Sequence, residues 1–64
     1  MPKTFYSDIV RILRKNGFAY WKPAKGSHEK WRNDAGVVVI VPRNAYSRHT
    51  ANSVLKQAGL PKAF

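Results

Sequence analysis

Cysteine is absent from this 64-residue chain. Neither a disulfide nor a thiolate metal site can therefore add to its stability. Acids are scarce too: Asp8, Glu29 and Asp34 are the only ones, against twelve lysines and arginines. His28 and His49 lie far apart in sequence, and none of the three carboxylates stands at a familiar ligand spacing from them. No metal site and no cofactor are expected. Long apolar runs are also lacking. The longest, Val37 to Val41, is far too short to cross a bilayer, so no membrane partner is expected. The opening MPKTFYSD has no apolar signal segment, and the expected location is the cytoplasm. There is no internal repeat, no low-complexity tract and no glycine-rich phosphate loop of the nucleotide-binding kind.

What the chain does have is positive charge, a formal net +9. On so small a protein this spreads a positive field over much of the surface, and the natural partners are polyanions, nucleic acid first. An apolar fraction of 44% is high enough to build a folded core, which argues against disorder despite the charge. One domain over residues 1–64 is expected. A domain of this length buries only about 60% of the surface its unfolded chain exposes.

Periodicity predicts a helix from about Phe5 to Lys15. Phe5, Ile9, Ile12 and Leu13 form its apolar stripe, Thr4 its cap and Asn16-Gly17 its stop. Phe18 to Lys22 has strand chemistry, broken by Pro23 to Gly26. His28 to Arg32 reads as a second strand, Asn33 to Gly36 as a hairpin turn, and Val37 to Val41 as a third strand ended by Pro42. A second helix follows from about Arg48 to Ala58, capped by Ser47 and stopped by Gly59. The fold class is thus α+β, in the order α-β-β-β-α. Short turns imply an antiparallel three-stranded meander with both helices on one face.

Side chains alternate across a strand. His28, Lys30 and Arg32 therefore share one face of the second strand, and Glu29 and Trp31 the other. Trp31 gains most from burial, so its face should pack on the helices. The histidine then belongs to a cationic stripe on the open face. Glu29 is expected to reach the rim and pair there with a base. Gly26 stands where the backbone takes a positive φ or approaches a ligand closely. Lysines and arginines around His28 attract phosphate. A neutral imidazole beside a bound phosphodiester can act as general base for a ribose 2′-hydroxyl, or as proton shuttle to the leaving oxygen. A Ser27-His28 dyad is weak, since neighbours on a strand point to opposite faces. Arg48 and His49 fall in the first turn of the last helix, where the dipole disfavours cations unless an anion binds.

Four segments together carry a resemblance: DIVRILRKNGF in the first helix, KGSHEKW at the second strand, VVVIVP in the third, and SVLKQAGL in the last helix. In this order and at this length the chain resembles the HicA (YcfA-like) toxins of bacterial HicA–HicB toxin–antitoxin systems. The resemblance implies a double-stranded-RNA-binding-like fold and a metal-independent mRNA interferase, silenced by a HicB-type antitoxin. The family's Gly-x-His motif falls on Gly26, Ser27 and His28, which makes His28 the catalytic residue by resemblance and Gly26 its support. The chain departs from many relatives at Glu29, where a second histidine is common. It departs again at Arg43-Asn44, where a histidine is often found, and at His49, in place of the glycine usual before Thr50.

The expected function is that of a toxin ribonuclease acting on mRNA. Lys25, Lys30 and Arg32 would hold the RNA backbone, with Ser27 beside them and Lys22 and Arg48 in weaker support. The rivals are a non-catalytic module for double-stranded RNA and an architectural DNA-binding protein. Val37, Val39 and Val41 alternate with Val38 and Ile40. One of the two sets cannot face the helices, and an acidic antitoxin is expected to cover it together with the bases.

Overall fold

The structure is a computed structural model and describes residues 4–64. The first three residues of the MPKTFYSD segment lie outside the described residues. Two helices and three strands follow in the order α1 (Tyr6–Lys15), β1 (Ala19–Pro23), β2 (His28–Arg32), β3 (Val38–Pro42) and α2 (Arg48–Gln57). The strands form one antiparallel sheet in the order β1-β2-β3. This is the expected α-β-β-β-α arrangement, the order used by double-stranded-RNA-binding domains.

The core lies between one face of the sheet and the two helices. Ile9 and Leu13 of α1 and Ala51, Val54 and Leu55 of α2 are buried, together with Trp31, Val39 and Val41 of the sheet. The i, i+3, i+4 spacing of each helix supplies the apolar stripe, and the period-2 alternation of β2 and β3 supplies the facing layer. Val38 is left exposed and Ile40 half-buried on the other face. The set turned away from the helices is therefore Val38 and Ile40. Val37 lies before the strand and is also exposed.

Beyond shifts of one residue at element ends, three local features depart from the sequence expectation for a physical reason. Thr4 does not cap α1. Phe5 takes the cap position without a side-chain bond, and its N–H donates to the Ala45 carbonyl at 2.7 Å. A tertiary bond thus replaces the local one. Pro23 and Pro42 are the last residues of their strands, not the first beyond them, and pair with Glu29 and His28. Both β1 and β3 are edge strands, where a proline at the end removes no necessary ladder bond. Finally, β1 contains a bulge. Tyr20 pairs with Trp31 and Lys22 with Lys30, so Trp21 is the extra residue.

At α2 the Ser47 hydroxyl accepts the His49 N–H at 3.1 Å, the expected cap. Gln57 reaches the free edge of β3, where its Oε1 accepts the Ile40 N–H at 3.3 Å. The chain end is held to α2 by Asn52, whose Oδ1 accepts the N–H groups of Ala63 and Phe64. Phe64 then packs edge-on against Phe5, ring centroids 5.1 Å apart. No helix among the described residues is long and apolar enough to cross a membrane.

Candidate active site

The link from β1 to β2 is a tight turn. The His28 N–H donates to the Lys25 carbonyl at 3.3 Å, and the Ala24 N–H donates to the His28 carbonyl at 2.9 Å. Gly26 has φ +66°, the positive value that mirror-image hairpin turns need at their first central position. A Cβ built on Gly26 would meet nothing within 4 Å. The positive φ alone accounts for a glycine here, and the space beside it is open.

A second loop braces this turn. After β3, the Arg43 N–H donates to the Ser27 carbonyl at 3.1 Å, and the Asn44 Nδ2 donates to the Ser27 hydroxyl at 3.3 Å. Ser27 is thereby tied on both its backbone and its side chain, one residue before His28.

His28 opens β2 and is exposed. Two shallow depressions meet at it. One is lined by Ala24 to Ser27 with Ile40. The other runs between Ile40, Pro42 and the α2 residues Thr50, Ser53 and Gln57. The imidazole is thus approachable from the turn and from the helix side. A larger depression lies on the far side, along Tyr6, Val10, Arg11 and Arg14 of α1. It holds no histidine.

Lys30 and Arg32 follow His28 on the same face, as alternation requires. The bulge adds to them. With strict alternation from Ala19, Lys22 would turn toward the helices. The extra residue at Trp21 instead sets Lys22 directly opposite Lys30. Like charges facing each other across a sheet are destabilising, so this pair gains when an anion lies between them. Among the described residues the ion pairs are Asp8–Arg11 and Glu29–Arg43. None of Lys22, Lys25, Lys30 and Arg32 is matched by an acid. Among the described residues no three His, Cys, Asp or Glu side chains come together in a group that could hold a metal ion.

Glu29 is on the opposite face and only 8% exposed. Its Oε1 accepts the Tyr6 hydroxyl at 2.7 Å and the Trp31 Nε1–H at 3.0 Å, while Oε2 meets the Arg43 Nε at 3.3 Å. The expected pairing with a base exists, but the carboxylate is also the acceptor for two buried or half-buried donors. Burial, aided by the neighbouring Glu29 carboxylate, pushes the Tyr6 hydroxyl above its ordinary value. Glu29 therefore joins α1, β2 and the loop after β3 from behind the sheet, and its side chain points away from His28.

The model of the HicA toxin of bacterial toxin–antitoxin systems matches residues 6–60. The chain belongs to that family. It is the toxin of a toxin–antitoxin pair, and an antitoxin is its partner. No curated protein and no solved structure matches it.

Within this HicA-family chain, Gly26, Ser27, His28 and Lys25 share one turn, and Lys22, Lys30 and Arg32 extend the same face. Arg48 and His49 stand apart. Both are exposed in the first turn of α2 and border neither depression at His28. One residue of interest escaped the sequence reading. Trp21 was expected only to favour a strand, yet it lies among the cations, with the Arg32 guanidinium and the Lys22 ammonium each 4.4 Å from its ring centroid. An aromatic interleaved with bases was the available signal, since alternation from Ala19 already turns Trp21 outward; what the bulge hid was Lys22 beside it.

Proposed function

We propose that this toxin is a metal-independent endoribonuclease that cleaves mRNA in the cytoplasm and transfers protons through His28. The observation that carries the reading is an exposed imidazole, on a residue whose backbone closes a glycine turn, at the head of a face whose cations lack acids. Phosphodiester binding answers that unmatched charge. Lys25 and Lys30 flank the scissile phosphate, and Lys22 and Arg32 hold the strand beyond it. Ser27 and Gly26 shape the turn, and Arg48 contributes at a distance. The His28 imidazole takes the proton from the ribose 2′-hydroxyl. The 2′-oxygen attacks the adjacent phosphorus, the bond from phosphorus to the 5′-oxygen breaks, and the leaving 5′-oxygen takes up the proton that His28 hands on. The products are a 2′,3′-cyclic phosphate and a 5′-hydroxyl end. No cofactor enters these steps.

The partner is a HicB-type antitoxin with an acidic surface. It pairs with the stripe and packs on Val38 and Ile40, hiding His28 from RNA. Charge complementarity speeds its association, and the apolar centre slows its release.

The test is end analysis of labelled RNA incubated with the pure toxin. Cyclic-phosphate and 5′-hydroxyl ends are expected, unchanged by a chelator. Ends of the 3′-hydroxyl and 5′-phosphate kind would refute the mechanism. RNA bound but left whole would make the protein a non-catalytic RNA-binding module.

A further inference from the structure

Trp21 is 37% exposed on the sheet face that carries the bases. Alternation from Ala19 turns it outward, and the bulge brings Lys22 to the same face beside it. The Arg32 guanidinium at 4.4 Å holds the ring from within the sheet. Lys22, equally close, is the next residue in β1, exposed, and carries its charge on a flexible stem that an arriving group can displace. The exposed Val38 and half-buried Ile40 lie on β3, with all of β2 between them and β1. The surroundings of the ring are thus cationic, unlike the aliphatic ground where a protein partner would pack.

We propose that Trp21 is a base-stacking subsite for single-stranded RNA, with Lys22, Lys30 and Arg32 holding the phosphates beside it. This rests on the ribonuclease reading of the same face. Every nucleobase has a π-face, but only an unpaired strand can offer it to a side chain. When the base arrives, the Lys22 ammonium moves from the ring to a phosphate between itself and Lys30, which relieves their mutual repulsion. The subsite lies beside Arg32, four residues along β2 from His28, or about 13 Å at strand rise. The stacked base and the cleaved phosphodiester therefore belong to different nucleotides. Trp21 acts as a specificity residue that fixes where along a strand His28 cuts.

The chain has two tryptophans, and Trp31 is 1% exposed, so fluorescence changes on stacking come from Trp21. The experiment uses the His28→Ala protein with a short single-stranded RNA, alongside the same RNA carrying one abasic nucleotide at successive positions. Quenching of Trp21 emission is expected on binding. Trp21→Ala should weaken binding by about 5- to 150-fold, and Trp21→Phe by much less. At one position the abasic nucleotide should cost the Trp21 protein that same factor and the Trp21→Ala protein nothing further. The buried Trp31 emission reports that each variant is folded. Unchanged affinity in Trp21→Ala, or equal abasic penalties in both proteins, overturns the stacking subsite. If His28-dependent cleavage persists in that case, the ribonuclease reading stands without it. Failure of the parent protein to bind or cut any RNA overturns both. A Trp21→Ala protein that keeps RNA affinity but loses its antitoxin would make the ring a partner contact and refute the proposal.

Discussion

Removing the Glu29 carboxylate should cost this small protein much of its stability. Two donors converge on Oε1, from Tyr6 at 2.7 Å and Trp31 at 3.0 Å. Hydrogen bonds to a charged acceptor contribute about 1.5–3 kcal/mol each. In Glu29→Ala the Trp31 N–H, belonging to a residue 1% exposed, is left without partner or water, a penalty of about 1–3 kcal/mol. Tyr6 is only half-buried and regains water. The Arg43 guanidinium is 64% exposed, so its pairing contributes about 0–1 kcal/mol. A destabilisation of about 3–5 kcal/mol follows. Domains of this length have roughly 3–10 kcal/mol in total, so Glu29→Ala should lose about a third or more of the stability. Glu29→Gln keeps an acceptor for Tyr6 and Trp31 but turns a donor toward Arg43, and should lose about 1–2 kcal/mol. Arg43→Ala should lose under about 1 kcal/mol. Urea titration of the three variants, followed by Trp31 emission, gives this order directly. A Glu29→Ala protein within 1 kcal/mol of the parent would refute the buried-acceptor reasoning. Equal losses in Glu29→Ala and Arg43→Ala would mean that the ion pair, and not the two neutral donors, carries the effect.

The cationic face makes binding salt-dependent: with about three to six phosphate contacts on a single strand, log affinity should fall against log salt with a slope of about −2 to −4. A flat response would remove the electrostatic role of Lys22, Lys25, Lys30 and Arg32. Gly26→Ala should cost about 1–2 kcal/mol through its positive φ alone, with no steric clash, and should lower cleavage further by moving His28. A variant with full stability and full activity would contradict the turn geometry. The Tyr6 hydroxyl titrates above its ordinary value in the folded protein, so unfolding releases its proton more readily. The stability it contributes is complete below about pH 10 and is lost as pH climbs from there through the raised folded value. The stability gap between the parent and Tyr6→Phe should therefore shrink above about pH 10, and a gap that widens there would contradict the burial of Tyr6 against Glu29.

The parts of the fold set by local pattern were legible. The apolar spacing of α2, its Ser47 cap, and the Asn33 to Gly36 turn follow from neighbours in sequence. So does the outward set His28, Lys30 and Arg32, because β2 has no irregularity and Trp31 fixes which side is in. What depended on contacts distant in sequence was not legible. The start of α1 is fixed by Ala45, forty residues from the Phe5 it bonds, so Thr4 was a reasonable cap and an incorrect one. The bulge at Trp21 leaves no mark in a five-residue strand, and one extra residue is enough to move Lys22 to the other face. Glu29 could be placed with Trp31 by alternation, but its use as the acceptor for Tyr6 and Trp31 required the helix to be in position. The braces on Ser27 from Arg43 and Asn44 were hidden for the same reason, since they join the loops before and after the β2–β3 hairpin, far apart in sequence.

The central claim is proton transfer by His28, and single-turnover cleavage by His28→Ala tests it most directly. The side chain is exposed and makes no packing contact on which the core depends, so the variant should keep the parent's stability and bind RNA with nearly the parent's affinity. Its cleavage rate should be lower by about 10²- to 10⁴-fold. A folded His28→Ala protein that cuts RNA at the parent's rate would contradict the account.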